Sequence, residues 1–240
     1  MVKYTIITVT YNAQANIKKT MESVLLQDYQ DYEYLIIDGK SKDRTLEIVE
    51  NMKQRYDADI KVYSEKDTGV YNAMNKGIER AKGDYIIFVN AGDFLYEKGT
   101  LSSLAEQIER GGEAIYCGNT CMMQDGKPLG VYDFKKNNHT VLRGLLHYKM
   151  PCHQSVVAPA RLLKKYCFDE KYKMRADYDW IVKCYRKGAK FCLIDDIVAG
   201  YDMGGETSRI DNQLFMKSES EMIVRKYYPI YYILSQAFNL

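Results

Sequence analysis

Three acidic side chains stand just beyond short apolar runs in the first hundred residues. Asp38 follows 34–37 (YLII), Asp67 lies in the loop Glu65-Lys66-Asp67-Thr68-Gly69 after 61–64 (KVYS), and Asp93 closes Asn90-Ala91-Gly92-Asp93 after 85–89 (YIIFV). A fourth polar cluster, Thr8-Val9-Thr10-Tyr11-Asn12, ends the run 4–9 (YTIITV). Carboxylates and amides of this kind can accept hydrogen bonds from a ligand or hold a hard cation. Each alone is equally an ordinary helix cap or turn residue. Polar groups at four successive strand ends are harder to assign to capping. Two further acids, Asp177 and Asp179, sit in Met174-Arg175-Ala176-Asp177-Tyr178-Asp179-Trp180, where a helix over 177–187 is expected to begin.

The elements that must position these groups alternate. Runs 4–9 and 34–37 are apolar without interruption, as in strands covered on both faces. Between them Ile17, Met21, Val24 and Leu25 form the stripe of an amphipathic helix, completing a βαβ unit. The idea repeats, with Leu46, Val49 and Met52 on a second helix and Val70, Met74, Ile78 and Ala81 on a third, before the strand at 85–89. This alternation predicts an α/β fold with a doubly wound, mostly parallel sheet, and in such sheets ligands sit beyond the carboxyl ends of the strands. The second half is less regular. Strands are expected near 114–117, 154–158 and 191–194, and helices near 100–110, 177–187 and 209–226.

The 240 residues suffice for one α/β domain, and only four prolines and no repeat or low-complexity tract divide the chain. Residues 1–97 read as one half and 98–240 as a second half of a single domain. Lys plus Arg total 34 against 32 for Asp plus Glu, a near-neutral balance that gives no electrostatic footprint for nucleic acid. The first apolar stretch is too short for a signal peptide or a bilayer span, and six scattered cysteines suit reduced thiols, so a cytoplasmic chain is expected. Cys117 and Cys121 lie four apart and Cys152 adjoins His153, but no matching second pair completes a zinc signature, and packing roles are expected for most cysteines.

The pattern resembles glycosyltransferase family 2, inverting GT-A enzymes that include transferases of bacterial surface polysaccharide assembly. The resemblance is carried by Thr8-Val9-Thr10-Tyr11-Asn12, Ile37-Asp38-Gly39-Lys40-Ser41-Lys42-Asp43, the segment from Asp67 through Gly69-Val70-Tyr71-Asn72-Ala73-Met74-Asn75-Lys76-Gly77, and the segment from Gly83 to Asp93. Order and spacing match from about residue 3 to 97; His153-Gln154 and Ala176-Asp177-Tyr178-Asp179-Trp180 extend the match more weakly. It implies a Rossmann-like sheet flanked by helices, a donor-binding N-terminal half and an acceptor-binding C-terminal half. It also implies that Thr8, Tyr11 and Asn12 wrap a nucleotide, that Asp38 accepts from the base, typically uracil, and that Asp67, Asn75 and Lys76 line the ribose and diphosphate. Where the family usually carries Asp-x-Asp for a divalent cation, this chain has Asn90 and Asp93. Asp93 is then the ligand candidate for Mg²⁺ or Mn²⁺, with Asn90 in support.

Displacement at an anomeric carbon needs a base for the acceptor hydroxyl and help for the departing nucleoside diphosphate. Asp177 is the expected base and Asp179 the fallback, though Asp177 is also a natural N-cap for its helix. His153, Gln154, Trp180 and Asp179 are expected on the acceptor side. Arg209, in Gly204-Gly205-Glu206-Thr207-Ser208-Arg209, is expected on the phosphate side, although that stretch also reads as a surface turn. The aromatic and basic tail from Met222 suits a membrane surface if the acceptor is polyprenyl-linked, or else a dimer contact or a strip packed on the core. Two rival readings remain: a nucleotide-sugar-binding protein without catalysis, and a dinucleotide oxidoreductase, which lacks G-x-G-x-x-G after the first strand.

Overall fold

The computed structural model describes residues 3–138, 140–203 and 210–238. The first half alternates as the sequence predicts: β1 (Tyr4–Thr10), α1 (Ile17–Leu25), β2 (Tyr32–Asp38), α2 (Thr45–Tyr56), β3 (Ile60–Ser64), α3 (Val70–Arg80) and β4 (Tyr85–Phe88). The second half follows with β5 (Phe94–Leu95), α4 (Thr100–Gly111), β6 (Ile115–Gln124), β7 (Lys127–Tyr132), α5 (Phe134–Asn138), α6 (Val141–Leu146), β8 (Val156–Pro159), α7 (Ala160–Lys165), α8 (Ala176–Arg186), β9 (Phe191–Asp202), α9 (Ile210–Tyr227) and α10 (Pro229–Phe238).

All strands join one sheet in the order β3-β2-β1-β4-β8-β6-β9-β5, with β7 beside β6. The first four run parallel, and β8 then pairs antiparallel with both β4 and β6. This is the expected α/β, GT-A-type architecture. The order places β1 between β2 and β4, so the loops after those three strands open at one rim. Every residue of β1 is buried because α1 and α3 cover opposite faces, which is why its sequence is an unbroken apolar and β-branched run.

Several expected elements change: the strand expected at 154–158 begins only at Val156, because His153–Ser155 close a 3₁₀ turn, and the one near 114–117 runs on to Gln124. Val70 is 44% exposed, and the inward stripe of α3 is Tyr71, Met74 and Ile78. Gly69, with φ of 139°, is the N-cap from which α3 begins at Val70. The strand expected at 191–194 continues to Asp202, because its polar residues lie along β6 and at the sheet surface rather than in a fully covered core. Cys117, Cys121 and Cys184 are buried as packing residues, and all six cysteines are free.

Glu33 on β2 is a buried acid with three partners: Thr5 Oγ1 at 2.7 Å, the Lys82 backbone N–H, and Lys61 Nζ at 3.2 Å. Burial alone would raise its pKa, but the bonds from Thr5, Lys82 and Lys61 outweigh it and hold Glu33 below its ordinary value. A folded-state pKa below the unfolded one contributes stability above the unfolded value, lost as pH falls through the folded value. Glu33→Gln is therefore expected to lower the urea midpoint most at neutral pH. The gap to the parent should begin to narrow below about pH 4, where the unfolded glutamate protonates, and close as pH falls through the lower folded value.

Candidate active site

The rim beyond β1, β2 and β3 is built by interlocking turns. Asn12, with φ of 48° in the left-handed region that Asn tolerates, donates its N–H to Ser41 Oγ at 2.8 Å and accepts Lys42 N–H on Oδ1 at 2.8 Å. A Cβ on Gly39 would lie 2.5 Å from Asp67 Oδ2 and 3.3 Å from the Tyr11 ring, so glycine is what lets the three loops meet. Tyr11 itself is 61% exposed, its ring lying beside Gly39 at this rim. Asp67 is half-buried and caps the next loop by accepting Gly69 N–H at 3.1 Å.

Not every expected donor residue faces this rim. Thr8 is fully buried, donating to Val89 O at 2.7 Å and sharing a 2.9 Å bond with Tyr34 OH, so it is a core residue that cannot wrap a ligand. Asn75 is consumed as a strut: Nδ2 donates to Phe168 O and Glu170 Oε1, and Oδ1 accepts Phe168 N–H. Lys76 is anchored to Lys66 O at 2.6 Å, beside Glu65 at 3.8 Å, rather than standing free for a diphosphate. Asp38 has no exposed surface. Its oxygens accept Ser41 N–H at 3.1 Å, Ser41 Oγ at 2.5 Å and Ser64 Oγ at 2.6 Å, so the two hydroxyls cover the carboxylate that was expected to meet a base directly.

The second cluster forms where β4, the 3₁₀ turn His153–Ser155 and α8 meet. Asp177 Oδ1 accepts Tyr71 OH at 3.0 Å and Tyr178 N–H at 2.8 Å; Oδ2 faces His153 Nδ1 at 3.5 Å. His153 Nε2 lies 3.0 Å from Asn90 Nδ2, and the next residue, Gln154, donates to Asp93 Oδ2 at 3.2 Å. With the Asn90 amide donating, Nε2 accepts and the ring proton sits on Nδ1, facing Asp177. Burial would raise Asp177 and lower His153, but the hydrogen bond between them, with their mutual attraction, outweighs it, so Asp177 ends below its usual value and His153 above. Side-chain exposures of 13% and 28% leave both reachable. They are the two titratable residues of a pocket whose other walls include Phe88, Phe168, Trp180 and Ile181.

Among the expected acceptor-side residues, His153 and Gln154 are at the centre and Trp180 forms a wall of the pocket, while Asp179 lies outside it. Asp179 is fully buried and turned toward α9, paired with Lys226 Nζ at 2.9 Å and Lys183 Nζ at 3.4 Å. Trp180 is 2% exposed and packs edge-on to Phe168, with ring centroids 6.4 Å apart. One helical turn carries both acids to different faces, which excludes Asp179 as a fallback base. Arg209 lies outside the described residues.

Asp93 is the cation candidate to be tested against its surroundings. It is 6% exposed, and burial, with the charge of Asp202 adding to it, lifts its carboxyl to about 6 despite His153 and the Gln154 bond. The neighbouring Asn90 Oδ1 is buried without a hydrogen-bond partner. A buried carboxylate and an orphaned amide oxygen are groups that a hard cation would satisfy, so this donor set fits one. Among the described residues no three His, Cys, Asp or Glu side chains group as a complete metal cage, so such a cation would take its remaining ligands from phosphate and water. Gly92, at φ of 113°, gives the loop its turn between the two.

Tyr71 is the member of this site that pattern reading passed over. The signal was available, because a phenol on the inward stripe with Met74 and Ile78 needs a buried partner for its hydroxyl. Tyr71→Phe keeps the packing and removes one bond to the carboxylate. A loss of about ten-fold in kcat with unchanged donor affinity is expected, the worth of one hydrogen bond to a charged group. Losing that bond also raises the pKa of Asp177, so the acidic limb of the pH–rate profile should move to higher pH.

Several known proteins are similar to this chain. The profile of Glycosyl transferase family 2 matches residues 5–153. A PGL/p-HBAD biosynthesis glycosyltransferase of Mycobacterium bovis (strain BCG / Pasteur 1173P2) is 28% identical over 218 residues, covering 89% of this chain and 82% of that one. The amylovoran biosynthesis glycosyltransferase AmsB of Erwinia amylovora is 29% identical over 217 residues, covering 84% and 70%. Among solved structures, S. aureus TarS 1-349 in complex with UDP-GlcNAc superposes with a TM-score of 0.73 at 22% identity, over 94% of this chain and 67% of that one. Against a longer TarS chain the matched share is 42% of that protein. The mannosyltransferase PcManGT from Pyrobaculum calidifontis, in complex with GDP-Man and Mn²⁺, superposes with a TM-score of 0.64 at 18% identity, over 83% and 56%. With more than half of its length matched by that profile, the chain belongs to glycosyl transferase family 2.

Proposed function

We propose that the protein transfers a sugar from a UDP-sugar, with inversion, to a hydroxyl of a saccharide or polyprenyl-linked saccharide in polysaccharide or glycolipid assembly on the cytoplasmic side. Residues 1–97 hold the donor and 98–240 the acceptor. The observation that carries the reading is Asp177, an ionised carboxylate fixed by Tyr71, Tyr178 and His153 at a pocket shared by both halves. Its role is to take the proton from the acceptor oxygen as that oxygen attacks the anomeric carbon; the departing group is UDP. The Tyr11 ring stacks on the base, and the Ser41 and Ser64 hydroxyls, backed by Asp38, read its edge. The UDP-GlcNAc complex of TarS supports this donor class.

Asp93 and Asn90 are the residues that would hold a divalent cation. When bound, it would neutralise charge on the leaving diphosphate. The Mn²⁺ complex of PcManGT supports that assignment. A thermal-shift panel of nucleotide sugars, with and without Mn²⁺, tests both parts together. UDP-sugars are expected to raise Tm, with Mn²⁺ adding to the shift in the parent and not in Asp93→Ala. A shift with GDP-sugars alone would overturn the donor assignment. The rival reading, a binder without catalysis, is motivated by Asn90 in place of a carboxylate, and any donor-dependent release of UDP excludes it.

A further inference from the structure

The last two helices present a surface that the reaction does not use. Ile230, Ile233 and Leu234 are 74%, 65% and 46% exposed and recur at i, i+3 and i+4 on α10, while Tyr231 and Tyr232 turn to the core. The helix is therefore apolar on both faces, and it contains no charged residue. From Met222 to Phe238 the chain carries two cations, Arg225 and Lys226, and no acid. Arg186 adds a third cation at the α9–α10 junction, 5.1 Å over the Tyr228 ring, and Lys226 lies 4.6 Å over Tyr227.

We propose that this outward face of α10 docks on an anionic lipid bilayer, with the apolar stripe entering the headgroup boundary and Arg186 and Arg225 meeting lipid phosphates. Two features favour lipid over a second copy of the chain. An uncharged stripe beside tyrosines and cations is the composition of an interfacial helix. The same hairpin also grips the segment that carries the base: Glu219 on α9 accepts Lys173 N–H at 2.7 Å and Met174 N–H at 2.9 Å, Ser220 Oγ accepts from Arg175 Nε at 2.8 Å, and Lys226 pairs with Asp179. A bilayer under α10 would thus lie at a fixed position relative to Asp177. No described helix is long and apolar enough to cross the membrane, so the contact is superficial.

The test reads binding without turnover and so stands apart from the donor assignment. The full chain is floated with vesicles of phosphatidylcholine alone or with phosphatidylglycerol added. The parent is expected to float with the anionic vesicles and stay behind with neutral ones. Ile230→Ser/Ile233→Ser/Leu234→Ser should lower the partition about ten-fold or more, because three apolar side chains leave the interface, while its UDP thermal shift persists. If that variant does not fold, Arg186→Ala/Arg225→Ala must lose the anionic preference instead. A parent that ignores anionic vesicles, or variants that float as well as the parent, overturns the proposal. So does light scattering that shows a parental dimer which the serine variant dissolves, since a second copy then covers the face.

Discussion

Asp177→Asn is expected to cut transfer by about a thousand-fold, within the range that loss of a general base produces, while UDP-sugar affinity stays within about two-fold. The amide is isosteric and its oxygen can keep accepting from Tyr71, while its NH₂ can neither accept from His153 Nδ1–H nor take a proton from the acceptor. The carboxylate starts in the right state because His153 opposes the effect of burial and keeps it ionised. Its apolar surroundings, Phe88, Phe168 and Ile181, limit competing water. The measurement is the initial rate of UDP release with acceptor, or of slow donor hydrolysis, paired with calorimetric donor affinity. Undiminished turnover in the variant would remove Asp177 from the base role.

Two residues along the same helix, the consequence is stability instead. Lys226→Met is expected to destabilise the fold by about 3 kcal/mol, because it strips the nearer cation from Asp179 and leaves a fully buried carboxylate with only Lys183 at 3.4 Å. Asp179→Asn should cost less. It removes the buried charge, and both lysines, 38% and 23% exposed, can turn to water. Urea midpoints at constant slope measure the difference, and adding Asp179→Asn to Lys226→Met should recover part of the loss. Equal costs for the two single substitutions would show that the ion pair is not what holds α9 against α8.

The two predictions separate what could be read before folding from what could not. Sequence alone determined the alternation of β1 to β4 with α1 to α3, because strands covered on both faces must be continuously apolar and covering helices must carry a stripe. It determined that polar groups gather at the ends of those strands, since parallel connections bring those ends to one rim. It also singled out the short acidic segment that contains Asp177. Tertiary structure decided which polar groups face outward. Thr8 looked like Asn12 in sequence, yet one hydroxyl bonds inside the sheet and the other residue shapes the rim, because β1 is covered on both sides until its last residues. Asn75 and Lys76 are spent on contacts with Phe168, Glu170 and Lys66, some of them nearly a hundred residues away. Asp177 and Asp179 differ only by a rotation about α8, and that rotation was set by the packing of α9, whose place against α8 has no local signature. The bond from Tyr71 to Asp177 spans 106 residues. A periodic pattern fixes which face of an element is apolar, but the partner that a buried hydroxyl or carboxylate finds depends on how distant elements pack, and that packing is what joins Asp177 to Tyr71 and His153.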